Sequence, residues 1–212
     1  MRKLSKMIAI AVLATSGHVA SAADPVQYNL DTVFSGTAPS GLAPWLTATF
    51  SEGATDTVRL TLTTSVVSGY YVSKFFFNYD PGPSGAAVSA LAFSTVGSNV
   101  LASDIKRAYD QWQADGDGKY DIRFDFAAGA LYSGQQSVYD IVGTGVTPQS
   151  FKLLATAGGP AGPFFSAAQT GGPANGWIGA QVAAIPEPET YAMLLAGLGL
   201  MIMLARRRKK SL

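Results

Sequence analysis

Tyr120-Asp121-Ile122-Arg123-Phe124-Asp125-Phe126 alternates without a break: every even position is apolar or aromatic and every odd one is charged. A period of two places successive side chains on opposite faces of an extended chain, so this stretch predicts a β-strand with one buried face. Weaker versions recur. Val26 to Phe34 carries bulky residues at even positions, and Thr57 to Val66 points Val58, Leu60 and Leu62 one way and Thr57, Arg59, Thr61 and Thr63 the other. Trp45 to Phe50, Ala87 to Val96, Ser137 to Val142, Phe151 to Leu154 and Trp177 to Val182 are further strand candidates. Tyr70 to Tyr79 has aromatics on both faces, which suits a central strand, although such a run could also stack on sugars. Gly/Pro/Ser-rich breaks at 35–44, 80–85 and 158–176 separate these segments. Ser103 to Trp112 reads differently: Ile105, Ala108, Tyr109 and Trp112 are three and four apart, so a loop with one or two helical turns is expected there.

Eight or nine short strands with almost no helix predict an all-β fold, an antiparallel β-sandwich of jelly-roll-like or immunoglobulin-like type. The 212 residues hold no Cys, so no disulfide staples it. Between Ala23 and Ile185, seven basic side chains against twelve acidic ones leave a net charge of −5. Nucleic-acid binding needs the opposite sign of surface and is not expected.

The two ends have a different chemistry. Arg2, Lys3 and Lys6 precede an apolar run from Met7 to Ala14, and Ala20-Ser21-Ala22 has the A-x-A form of a signal-peptidase site, so 1–22 reads as a secretory signal peptide cut after Ala22. The one histidine, His18, would leave with it. A mature chain without Cys or His excludes Ser-His-Asp and Cys-His catalysis, His-containing zinc sites and the usual haem ligands.

At the other end, Pro186-Glu187-Pro188 leads into Tyr191 to Ala205, which has no charge, and then into Arg206-Arg207-Arg208-Lys209-Lys210. A helix over 191–205 would be about 22 Å long, short of a bilayer core of about 30 Å. Leu194, Leu195, Leu198, Leu200, Ile202 and Leu204 favour insertion by only about 2–4 kcal/mol together. Tyr191 suits the interface, the basic cluster marks the cytoplasmic side, and the two prolines hold the preceding stalk extended. Tripeptide, short apolar helix and basic end, in that order, resemble the PEP-CTERM sorting signal of Gram-negative bacteria. The resemblance implies recognition near Pro186 to Pro188 by an exosortase, a membrane enzyme, with the chain anchored in the inner membrane before processing. Delivery to the cell surface or an exopolysaccharide matrix would follow. The domains are then 1–22 signal peptide, 23–184 β-sandwich and 185–212 sorting signal.

Inside the body, Asp115-Gly116-Asp117-Gly118-Lys119-Tyr120-Asp121 alternates carboxylates with small residues, so Asp115, Asp117 and Asp121 could converge on a hard cation such as Ca²⁺. Lys119 at the third ligand position, Tyr120 in place of a required Gly and the lack of a closing Glu depart from an EF-hand loop. The alternative is a D-G hairpin turn. Asp121 and Asp125 are expected on the solvent face of their strand. The function expected is an exported, non-enzymatic protein without a cofactor. A carbohydrate-binding module using Tyr70, Tyr71, Phe75, Tyr79, Trp112 or Trp177 is one alternative. A glycoside hydrolase with two carboxylates across a cleft is another.

Overall fold

The computed structural model describes residues 23–97 and 100–180. The signal segment with Ala20 and Ala22, the Pro186-Glu187-Pro188 motif, the expected helix over 191–205 and the basic cluster lie outside the described residues. In chain order the strands are β1 (Val26–Leu30), β2 (Thr32–Gly36), β3 (Leu46–Glu52), β4 (Thr57–Thr64), β5 (Tyr71–Phe77) and β6 (Ala92–Thr95). They continue with β7 (Asp104–Gln113), β8 (Gly118–Asp125), β9 (Leu131–Tyr132), β10 (Gln136–Val142), β11 (Thr156–Ala157), β12 (Ser166–Gly171) and β13 (Gly176–Ala180). One sheet has the order β1-β3-β4-β10-β6, and the other β11-β8-β5-β12-β13-β2, with β7 added to β8 and β9 to β5. Each strand pair is antiparallel.

The expected all-β, sandwich-like arrangement is present because the buried faces of the two sheets meet. Val58, Leu60 and Leu62 of β4 are fully buried, as their alternation predicts, while Arg59 on the opposite face pairs with Asp140 of β10 at 2.9 Å. From the second sheet, Phe75 and Phe77 of β5 and Ile122 and Phe124 of β8 enter the same core. Phe50 of β3 meets Phe77 edge-on at 5.2 Å and stacks on Phe151 at 4.2 Å. The Tyr28 hydroxyl of β1 donates to the Phe151 carbonyl. Tyr70 to Tyr79 forms a central strand: β12 lies on one edge, β8 and β9 share the other, and Phe76 faces a second, smaller cluster with Ala114, Tyr120, Ala155 and Ala167.

Several expectations require correction. Ser103 to Trp112 is no loop with helical turns but β7, paired with β8 from Asp104↔Asp125 to Gln113↔Lys119. Arg107 faces Ile122 and Trp112 faces Tyr120, so four residues on β7 stand opposite Asp121 alone. That bulge inserts the extra residues that mimic helical spacing. Val26 to Phe34 is two strands in different sheets, the chain crossing over at Asp31. Ala87 to Val96 opens with a 3-10 turn, Val88–Ala90, before the short strand β6. Phe151 to Leu154 is no strand: Thr147 and Ser150 form a capping box that closes the 3-10 turn Pro148–Phe151. The presumed loop at 158–176 contains β12, whose Ala167 and Ala168 lie beside Phe76 and Phe75 of β5. Small residues there leave space for the neighbouring rings, and the strand therefore lacks a hydrophobic signature of its own.

Phe50 links both sheets through ring contacts on two sides. Phe50→Ala should lower stability by about 3–5 kcal/mol, read as the shift in urea midpoint at unchanged slope. A loss below about 1 kcal/mol would mean that the sheets are held elsewhere.

Candidate functional site

The three candidate cation ligands sit on or beside the β7–β8 hairpin. Its turn is Ala114 to Asp117: the Asp117 N–H donates to the Ala114 carbonyl at 3.2 Å and the Ala114 N–H to the Gly118 carbonyl at 3.1 Å. Gly116 takes φ of +81°, the left-handed value for which glycine has no steric cost. The structure thus shows the D-G turn. It does not gather the three carboxylates, and among the described residues no group of three or more His, Cys, Asp or Glu side chains is arranged to hold a metal ion.

Each carboxylate has its own partners. Asp115, exposed, accepts a 2.8 Å hydrogen bond from the Ser35 hydroxyl. Asp117 is buried and accepts from the Tyr120 hydroxyl and from the Phe164 N–H at 3.3 Å. A Cβ placed on Gly162 would collide with its Oδ1, so the 158–164 loop crosses directly over this carboxylate. Asp117 pins that loop to the hairpin.

Asp121, expected at the solvent face, is only 3 % exposed. Its Oδ1 accepts from the Asp110 N–H at 2.8 Å, its Oδ2 from the Tyr79 N–H at 3.0 Å, and its own N–H donates to Asn78 Oδ1 at 3.1 Å. The bulge explains this reversal. Residues 108–111 leave the ladder, Asp110 adopts a left-handed φ of 51°, and its freed N–H turns to the one side chain opposite the bulge. Asp125 is half-buried in a network with Arg123 at 2.9 Å and Lys106 at 3.6 Å. Asp121 also lines a cleft of 280 Å³ with Asp80, Asp110, Asn78, Tyr79 and Tyr109. Periodicity could not have found this cleft, because a bulge and a strand end build it.

Burial raises the carboxyl groups of Asp117 and Asp121 above the ordinary value, against the lowering effect of the hydrogen bonds each accepts; the neighbouring Asp110 charge adds to the rise at Asp121.

The six aromatic candidates divide. Phe75 and Tyr79 are core residues. Trp177 lies under the Lys74 ammonium at 5.9 Å, and Trp112 under the Arg123 guanidinium at 5.0 Å and the Lys106 ammonium at 5.7 Å, so cations cover both indoles. Tyr70 and Tyr71 border a surface groove together with Tyr132, a residue whose two-residue strand is too short to read from sequence.

The tail is assigned by comparison. Residues 184–209 match the family model of the PEP-CTERM protein-sorting motif. This chain carries a PEP-CTERM sorting motif. The match spans Pro186-Glu187-Pro188, the apolar stretch and most of the basic cluster, and it does not extend into the β-sheet body. No curated protein and no solved structure matches the chain. A PEP-CTERM tail implies sorting through an exosortase, export, and a membrane-anchored sorting intermediate.

Two outcomes follow for the carboxylates. Isothermal titration of Ca²⁺ into the full chain should give no binding heat and no rise in melting temperature; a rise abolished by Asp117→Ala would restore the cation site. For Asp121, a folded-state carboxyl raised above its unfolded value stabilises fully below the unfolded value, near 3.8, and loses that contribution as pH climbs through the folded one. The difference in melting temperature between wild type and Asp121→Asn should therefore move in favour of the wild type as pH falls from about 7 to about 4. A difference independent of pH would contradict the buried, raised carboxyl.

Proposed function

We propose that this chain is an exported, non-enzymatic cargo whose β-sheet body is delivered to the cell surface or an exopolysaccharide matrix. The observation that carries the reading is the PEP-CTERM match over 184–209. In this scheme signal peptidase removes 1–22, and Tyr191 to Ala205 then holds the chain in the inner membrane with Arg206 to Lys210 on the cytoplasmic side. An insertion energy of only about 2–4 kcal/mol from the strong apolar residues suits a temporary hold. An exosortase recognises the Pro186-Glu187-Pro188 segment and cuts near it. The body needs no cofactor for this role.

The non-enzymatic reading is supported by how one cleft carboxylate, Asp121, is used. A glycoside hydrolase requires one carboxyl to give a proton to the leaving oxygen and a second to attack or to activate water. Both oxygens of Asp121 already accept backbone N–H groups, and those bonds hold the β7 bulge against the end of β5. Asp121 is a structural clamp.

Replacing Pro186-Glu187-Pro188 by three alanines should leave the C-terminus uncut and the protein in the inner-membrane fraction, while the signal peptide is still removed. Mass spectrometry of fractionated cells reads both ends. Normal C-terminal trimming and surface delivery of the variant would refute the assignment.

A further inference from the structure

The groove bordered by Tyr70, Tyr71 and Tyr132 belongs to neither the delivery signal nor the core, and its chemistry is specific. Tyr71 of β5 stands directly opposite Tyr132 of β9, and the next pair, Val72 opposite Leu131, is fully buried. Alternation therefore puts both tyrosines side by side on the outward face, about 5 Å apart at Cβ. Tyr132, at the end of its two-residue strand, is 48 % exposed. Tyr71 lies down on the sheet: a Cβ on the neighbouring Gly171 would come within 2.6 Å of its Cζ, so the glycine is what lets the ring rest against the backbone. Tyr70, buried in the main core, borders the groove from beneath, and its hydroxyl lies 3.4 Å from the Ser40 hydroxyl.

Ser68, Gly69, Gly129 and Ser133 complete the lining, and no charged residue contributes. The space, 430 Å³, falls within the roughly 300–1,000 Å³ of small-molecule sites. A groove without charge in a body of net charge −5 offers nothing to a phosphate or an acidic polymer. It offers flat aromatic faces for apolar C–H surfaces, and phenol and serine hydroxyls that both donate and accept. A sugar ring with equatorial hydroxyls has that complement: C–H groups above and below, and hydroxyls around its edge.

We propose that this groove binds a segment of an uncharged, β-linked polysaccharide, with Tyr71 and Tyr132 stacking on sugar faces and Ser68 and Ser133 hydrogen-bonding to sugar hydroxyls. The inference stands apart from the delivery reading, since it rests on side chains of the folded body.

The test is affinity electrophoresis of the full chain, purified in mild detergent from a host without an exosortase, through gels containing hydroxyethyl cellulose, dextran or alginate. Retardation is expected in the neutral β-glucan gel, little in the α-linked dextran and none in anionic alginate. Tyr132→Ala, at an exposed position, should weaken retention at least about tenfold, the loss of about 1.4 kcal/mol, with an unchanged melting temperature, and Tyr132→Phe should keep most of it. Absence of retardation in the hydroxyethyl cellulose gel would overturn the proposal. So would retention that survives in the folded Tyr71→Ala, Tyr132→Ala double variant, or stronger retention by alginate. Because no tail processing is needed, failure here leaves the sorting assignment untouched.

Discussion

Phe50 and Phe151 stack at 4.2 Å between the two sheets, and Phe77 meets Phe50 edge-on from the second sheet. In a chain without cysteine, no covalent link supplements this contact. Adhesion of the sheets rests on apolar area removed from water, about 1.5–3 kcal/mol for each large side chain fully buried. The aromatics lie at the centre of the interface, where one ring touches several neighbours: Tyr28 stacks near both Phe77 and Phe165, and Phe124 crosses over to Tyr139 of β10. Fixing these rings also fixes the backbone segments that carry them, including the 3-10 turn that ends at Phe151.

Fixing the rings leaves a polar problem at the sheet edge. The β7 bulge removes backbone donors from the ladder, and a buried unpaired N–H costs about 1–3 kcal/mol. Asp121 accepts one such donor, the Asp110 N–H of the bulge, and also the Tyr79 N–H just beyond β5. A second buried carboxylate, Asp117, accepts the Phe164 N–H of the Gly-rich loop and the Tyr120 hydroxyl of β8. Two of the three carboxylates suggested as cation ligands, Asp117 and Asp121, accept backbone N–H groups in this fold. Each holds a different irregular segment against the same hairpin.

These anchors mark the limit of what the sequence makes legible. Where a strand stays in one ladder and buries one face, as β4 does at Val58, Leu60 and Leu62, the alternation reads through directly. Legibility fails where the chain departs from that rule. At Asp31 it changes sheets within a continuous pattern; at 108–111 it gains residues that imitate a helix; at Ala167 and Ala168 it carries small residues whose apolar bulk is supplied by β5. Tyr132 is missed for a related reason. Its strand has two residues, and only the register with Tyr71 gives it meaning. The tail is the reverse case: its meaning is linear, carried by the order of Pro186-Glu187-Pro188, apolar stretch and basic end, and the family match reads the same order without any fold.

The charge distribution ties the body to the tail. Basic residues are concentrated in the two end segments, while the segment between them carries −5. The anionic cytoplasmic surface attracts a nearby Lys or Arg by about 1 kcal/mol each, which favours holding a basic tail at the bilayer. Cutting between body and tail would remove that attraction. The proposed glycan groove, having no charge, would bind independently of salt, because stacking and hydroxyl hydrogen bonds are not screened as ion pairs are. On that proposal, delivery electrostatics and ligand chemistry are separated along the chain.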